Sequence, residues 1–137
     1  MDVTQILEGL NDPQREAVSS PLENTLILAG AGSGKTRVLV HRIVWLIDVE
    51  QISPQSVLAV TFTNKAAAEM RSRIEDLLNV SSRAMWVGTF HGLAHRLLRM
   101  HWQEAGLPQR FQIIDADDQL RVIKRILKDL DLDEKKW

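Results

Sequence analysis

The chain has 137 residues, 45% of them hydrophobic and 26% charged, with a formal net charge of −1. That length supports one modest core, and the composition excludes a disordered chain. The absence of cysteine excludes disulfides and thiolate metal sites. Met1-Asp2-Val3-Thr4-Gln5 lacks a basic or apolar leader character, and no apolar stretch has the length of a membrane span. A cytoplasmic protein in a reducing compartment, with no membrane partner, is expected. The small net charge hides a gradient: residues 1–34 hold one basic and five acidic side chains, residues 35–110 ten basic and six acidic, and residues 111–137 six basic and seven acidic. A basic middle can face a polyanion, although a solvated surface explains the same excess.

In chain order, Asn11-Asp12-Pro13 reads as a helix start, with Asp12 as N-cap, Pro13 at the first helical position and Glu16 complementing the dipole. Pro21 ends that short helix. Residues 25–29 read as a first strand, apolar on both faces as in a covered parallel sheet. A helix from Lys35 follows, expected to bury Leu39, Val40, Ile43, Val44 and Ile47. Val38, Trp45 and Leu46 widen its apolar stripe enough to require packing on more than one side.

Residues 57–62 read as a second strand, and Thr63-Asn64 caps a helix with stripe Ala67, Met70, Ile74 and Leu77 and a Glu69–Arg73 pair. Residues 85–88 read as a third strand. The next helix carries Phe90, Leu93, Ala94, Leu97 and Leu98 on one side, and Gly106-Leu107-Pro108 stops it. Residues 111–114 are a short extended piece. Asp115 caps a last helix with stripe Leu120, Ile123, Ile126, Leu127 and Leu130. Strands alternating with helices imply parallel crossovers in an α/β fold. Three core strands make a thin sheet, and Leu132-Asp133-Glu134-Lys135-Lys136-Trp137 reads as the opening of another helix, so a piece of a longer protein is expected.

The chemistry concentrates in Ala29-Gly30-Ala31-Gly32-Ser33-Gly34-Lys35-Thr36, between the first strand and its helix. Glycines let a loop take positive φ and bring bare N–H groups to an anion, and the helix N-terminus adds donors and the positive end of its dipole. Lys35 supplies a point charge for β/γ-phosphates, and the Thr36 hydroxyl can hold Mg²⁺. Ala29 stands where the general phosphate-loop pattern has its first glycine. A nucleoside triphosphate with Mg²⁺ is the expected cofactor, with Lys35 and Thr36 as the catalytic pair and Arg37 among the binding residues.

Hydrolysis also needs a carboxylate pair to hold the metal and orient water. The nearest candidate, Asp115-Ala116-Asp117-Asp118, is explained as an acidic helix N-terminus, and Asp133-Glu134 has no apolar strand before it. His91 and His95 have metal-compatible i,i+4 spacing without a third ligand, and with Arg96 and Arg99 nearby they read as a cationic helix face. Trp45 and Trp86 read as packing residues. Phe62, beside Asn64 and Lys65 at the end of a strand, suits either stacking on a base or burial in the core.

These segments, in this order, resemble the N-terminus of superfamily 1A DNA helicases, the UvrD/Rep/PcrA group. Residues 10–18 resemble the Q motif, which implies that Gln14 reads adenine. Residues 29–36 are similar to the family's motif I, which has alanine at the first position. Residues 60–70 resemble motif Ia, and Gly88-Thr89-Phe90-His91-Gly92-Leu93-Ala94 resembles the next segment on the DNA path. The resemblance implies a RecA-like P-loop NTPase sheet with flanking helices, incomplete here and followed by a mainly helical segment. It places residues 1–89 in motor subdomain 1A and 90–137 at the start of helical subdomain 1B. It further implies an ATP-dependent 3′–5′ DNA helicase acting in repair or replication, on single-stranded DNA and duplex junctions and with repair proteins as partners. Phe62, Thr63, Asn64, Lys65 and His91 would then line the single-strand path. The motif II carboxylates would lie beyond Trp137, so this piece alone is expected to be inactive. A small P-loop kinase and a non-enzymatic nucleotide-binding module are the alternatives.

Overall fold

The computed structural model describes residues 3–79 and 81–132. Its elements run α1 (Thr4–Leu7), α2 (Asp12–Ser19), α3 (Lys35–Asp48), β1 (Leu58–Thr61), α4 (Asn64–Leu78), β2 (Trp86–Thr89), α5 (Phe90–Met100) and α6 (Ala116–Asp129). The chain divides into two compact units, Met1–Leu97 and Leu98–Trp137. The boundary between them falls inside α5.

The first unit is an α/β structure built on a parallel pair of strands. Leu58, Ala59, Val60 and Thr61 of β1 sit opposite Trp86, Val87, Gly88 and Thr89 of β2. Parallel strands cannot be joined by a tight turn, and α4 is the crossover. Ala67, Met70 and Ile74 recur at helical spacing along α4 and are all buried. Met70 and Ile74 form one core cluster with Val40, Ile43, Val57, Ala59, Met85 and Val87. A second cluster joins Ile6, Leu10, Val18, Val38 and Val44. Helix α3 contributes to both clusters, Val40 and Ile43 to the first and Val38 and Val44 to the second, as its wide stripe requires. Leu39, expected in the core, is instead 40% exposed, and Ile47 is only partly buried. Leu77 likewise lies at the edge of its stripe, 36% exposed.

Local chemistry explains the helix ends. Asn11, one residue before the expected Asp12, is the N-cap of α2. Its side chain accepts from the Gln14 N–H while Gln14 accepts from the Asn11 N–H, a reciprocal capping box. Thr63 caps α4 through the Ala66 N–H, and Asp115 caps α6 through the Asp118 N–H. The acidic run at residues 115–118 is thus a cap, with Asp118 also paired to Arg121. The Glu69–Arg73 pair forms as expected.

Residues 25–29 depart from expectation. They carry no strand hydrogen bonding, and Leu26 and Leu28 are 81% and 85% exposed. A strand exists through its neighbours' ladder bonds, and among the described residues β1 and β2 pair with each other alone. Residues 111–114 also form no strand. In the second unit Phe111 is buried under the Arg99 guanidinium, which stands 4.5 Å from the ring centroid, while Ile113 and Ile114 are exposed. The expected stripe of α6 is present, with Leu120, Ile123, Ile126 and Leu130 each at least 45% exposed. The readings made on Asp133, Glu134 and Trp137 lie outside the described residues.

Candidate functional site

Ala29 to Thr36 form an exposed loop that runs into α3, with Gly34 alone half-buried. Gly32 and Gly34 have φ of 76° and 86°, values that only glycine adopts without strain. Gly34 is the N-cap of α3 and, having no side chain, offers no cap hydrogen bond. That separates α3 from α2, α4 and α6, whose first N–H groups are met by Asn11, Thr63 and Asp115. A fourteen-residue helix therefore points an uncapped N-terminus into the loop, the arrangement that receives an anion. Lys35 folds back over this loop, its Nζ donating to the carbonyls of Ala29 at 2.7 Å and Gly30 at 2.6 Å. Ser33 Oγ closes the turn on the same Gly30 carbonyl.

Gln14 reaches the loop from outside. Its Oε1 completes the capping box, which leaves Nε2 free to donate to the Ser33 carbonyl at 3.1 Å. A Cβ at position 34 would come within 2.8 Å of that Nε2, so the missing side chain of Gly34 makes room for Gln14. Arg37 crosses above Gly9, where an added Cβ would meet its guanidinium at 2.7 Å. Thr36 is exposed in the first turn of α3 and can give a metal one oxygen. Among the described residues no cluster of three His, Asp or Glu supplies more.

The strand register gathers the other candidates. Thr61 is paired with Thr89, so the chain leaves β1 and β2 at the same end of the sheet. Phe62 and Phe90 follow these residues, and their rings lie 5.7 Å apart at 51°. Phe62 is 90% exposed, which sets aside the core alternative for it. Asn64, Lys65 and His91 are exposed beside this pair. Thr63 spends its hydroxyl on the α4 cap, leaving less of it for a ligand. A cleft of about 360 Å³ joins the two groups, lined by Lys35 and Thr36 on one side and Val60, Thr61, Phe62 and Thr63 on the other. Ligand sites of open α/β sheets lie at this carboxyl end of the strands.

Residues 10–137 match the family model described as the UvrD/REP helicase N-terminal domain. The chain belongs to that helicase family. DNA helicase II of Escherichia coli (strain K12) is 66% identical over 137 residues, all of this chain and 19% of that protein. DNA helicase II of Haemophilus influenzae (strain ATCC 51907 / DSM 11121 / KW20 / Rd) is 63% identical over 139 residues, 98% of this chain and 19% of that protein. ATP-dependent DNA helicase PcrA of Bacillus subtilis (strain 168) is 48% identical over 133 residues, 97% of this chain and 18% of that protein. The chain thus spans about a fifth of the length of these relatives. Among the described residues, no helix is long and apolar enough to cross a membrane.

Sequence reasoning gave no bracing role to three residues of this UvrD/REP domain that fix its helices. Thr89 accepts from the Gly92 N–H at 3.1 Å and so caps α5, the threonine-to-glycine spacing being the available signal. His41 is buried, its Nδ1 2.5 Å from the Ile6 carbonyl. Arg42 bonds to the far end of α2. Both interrupt an apolar stripe, which was the only mark they left in the sequence.

Proposed function

We propose that the chain is the ATP- and single-stranded-DNA-binding N-terminal part of an ATP-dependent 3′–5′ DNA helicase, with DNA repair as its setting. In this reading Gln14 recognises adenine. The loop from Ala29 through Gly30, Ala31, Gly32, Ser33 and Gly34 holds the phosphates, with Lys35 as their charge partner, Thr36 as one oxygen ligand of Mg²⁺ and Arg37 at the rim. Residues 1–89 are the motor part and 90–137 the start of the helical one. Phe62, Thr63, Asn64, Lys65 and His91 contact the single strand. The observation that carries the reading is the uncapped N-terminus of α3 beneath a positive-φ glycine loop, with Lys35 turned onto that loop.

Phosphate oxygens offer Lys35 a stronger, charge-assisted partner than the two carbonyls it now meets. Nucleotide binding then becomes an exchange in which Lys35 releases the loop and follows the phosphate. Lys35→Ala removes that partner from an exposed position and opens no cavity, so the fold should survive. Titration calorimetry with ATP and Mg²⁺, alongside circular dichroism, is expected to show lost affinity with an unchanged spectrum. Unchanged affinity overturns the assignment of the phosphate loop.

A further inference from the structure

Helix α3 starts at the phosphate loop, and two turns along it Arg42 reaches across to α2. The Arg42 guanidinium donates from Nη1 to the carbonyls of Val18 at 2.8 Å and Ser20 at 2.6 Å, and from Nη2 to that of Pro21 at 2.8 Å. These carbonyls lie at the C-terminus of α2, where a helix has no internal partners for them and its dipole is negative. A planar fork can serve several such acceptors at once, whereas a lysine ammonium cannot span them in the same way. At the other end of the helix, Gln14 Nε2 donates to the Ser33 carbonyl. At the Arg42 end Val18 is also fully buried, in the cluster that holds Val38 and Val44 of α3. The helix bearing Gln14 is therefore pinned at its tail to α3 and at its head to the loop that leads into α3.

We propose that Arg42 is a positioning residue for nucleotide recognition. By holding the tail of α2 it sets the reach of Gln14 over the phosphate loop, so that base recognition and phosphate binding share one frame. The proposal rests on the reading of Gln14 as the adenine contact. Its consequence is selective: loosening the frame weakens recognition of the base and leaves phosphate capture in place, because the bonds of Arg42 go to α2 and the two residues after it rather than to the loop.

The test uses Arg42→Met and Arg42→Lys in the 137-residue chain, the lysine variant keeping charge and stem if the methionine variant does not fold. Each is titrated with ATP, GTP and inorganic triphosphate in the presence of Mg²⁺. Inorganic triphosphate affinity should be unchanged, while ATP affinity falls about ten-fold, the equivalent of one or two misplaced hydrogen bonds, and the preference for ATP over GTP is lost. Unchanged ATP affinity in a folded variant overturns the proposal, and so does an equal loss for ATP and inorganic triphosphate, which marks Arg42 as a general brace. A second readout needs no nucleotide. In ¹⁵N spectra the Gln14 side-chain amide and the Ser33 and Gly34 backbone amides should shift in both variants, and changes confined to residues 18–21 overturn the idea. If the unsubstituted chain binds neither ATP nor inorganic triphosphate, the phosphate-loop reading fails separately, and these spectra decide the role of Arg42.

Discussion

Phe62 stands just past β1 with 90% of its surface exposed, its ring against that of Phe90. Truncating it removes little buried area, so Phe62→Ala should barely move the melting temperature. If the ring stacks on a base, the same change should weaken single-stranded DNA binding about ten-fold, since one aromatic contributes roughly 1–3 kcal/mol per base. Fluorescence anisotropy of a labelled oligonucleotide together with a thermal melt separates the outcomes. An unaltered affinity with a large drop in melting temperature returns Phe62 to a structural role. At this scale the sequence was informative where chemistry comes as a motif: Gly34-Lys35-Thr36 stood out by residue type and spacing, and Gln14 through the resemblance to the Q motif alone. The core-or-surface question at Phe62 stayed open because a phenylalanine after a strand fits both, and its exposure in the fold is what distinguishes them. His41 and Arg42 were missed because their partners are backbone carbonyls, which leave no trace in residue identity.

Capped helix starts were legible to within a residue, because caps are local: Asn11, Thr63 and Asp115 each meet an N–H three positions on, whereas α5 ends at Met100, ahead of the stop expected at Gly106. The run at residues 25–29 was not, since a strand depends on edges that lie far away in the chain. A third device joins neighbouring elements. Glu75, near the end of α4, accepts at 2.8 Å from both the N–H and the Oγ of buried Ser82, and so holds the turn that leads into β2. The backbone hydrogen bond from Ser82 and then its hydroxyl, helped by Arg83 and Arg71, keep the Glu75 carboxyl below its ordinary value of 4.5. A depressed folded-state pKa stabilises above the unfolded value and loses that contribution as pH falls through the folded one. Glu75→Gln keeps an acceptor oxygen but not the charge. It should lower the melting temperature at pH 7, and the gap from the unsubstituted chain should close as pH drops below about 4.5. A gap that stays constant across this range shows that the charge is not what Ser82 reads.

At the scale of the molecule, the α/β class and the helical character of the later residues were readable from alternating periodicities, while the strand expected at residues 25–29 is absent. The described acidic groups at Asp115 and Asp118 are committed to a cap and an ion pair. Phosphoryl transfer requires carboxylates that position metal and water. The 137-residue chain is accordingly expected to release no phosphate from ATP above background, with or without single-stranded DNA. A phosphate-release assay showing turnover that Lys35→Ala abolishes contradicts this.

The parallel pairing of β1 with β2 also dictates an order of assembly. Two parallel strands gain nothing from approaching each other until the intervening segment has closed its loop, and here that segment is α4, whose Met70 and Ile74 fill the space between the strands and α3. The loop closed is no shorter than the one between α2 and α3, and what favours it is the set of ladder bonds and the buried Met70 and Ile74 that close with it. The strand–helix–strand unit is therefore the expected folding nucleus, with α1 and α2 docking on α3 afterwards. Ile74→Val should slow refolding in a denaturant-jump experiment, while Val18→Ala should leave the refolding rate nearly untouched and speed unfolding instead. The helix that presents Gln14 to the loop would then be the last part to arrive and the first to leave.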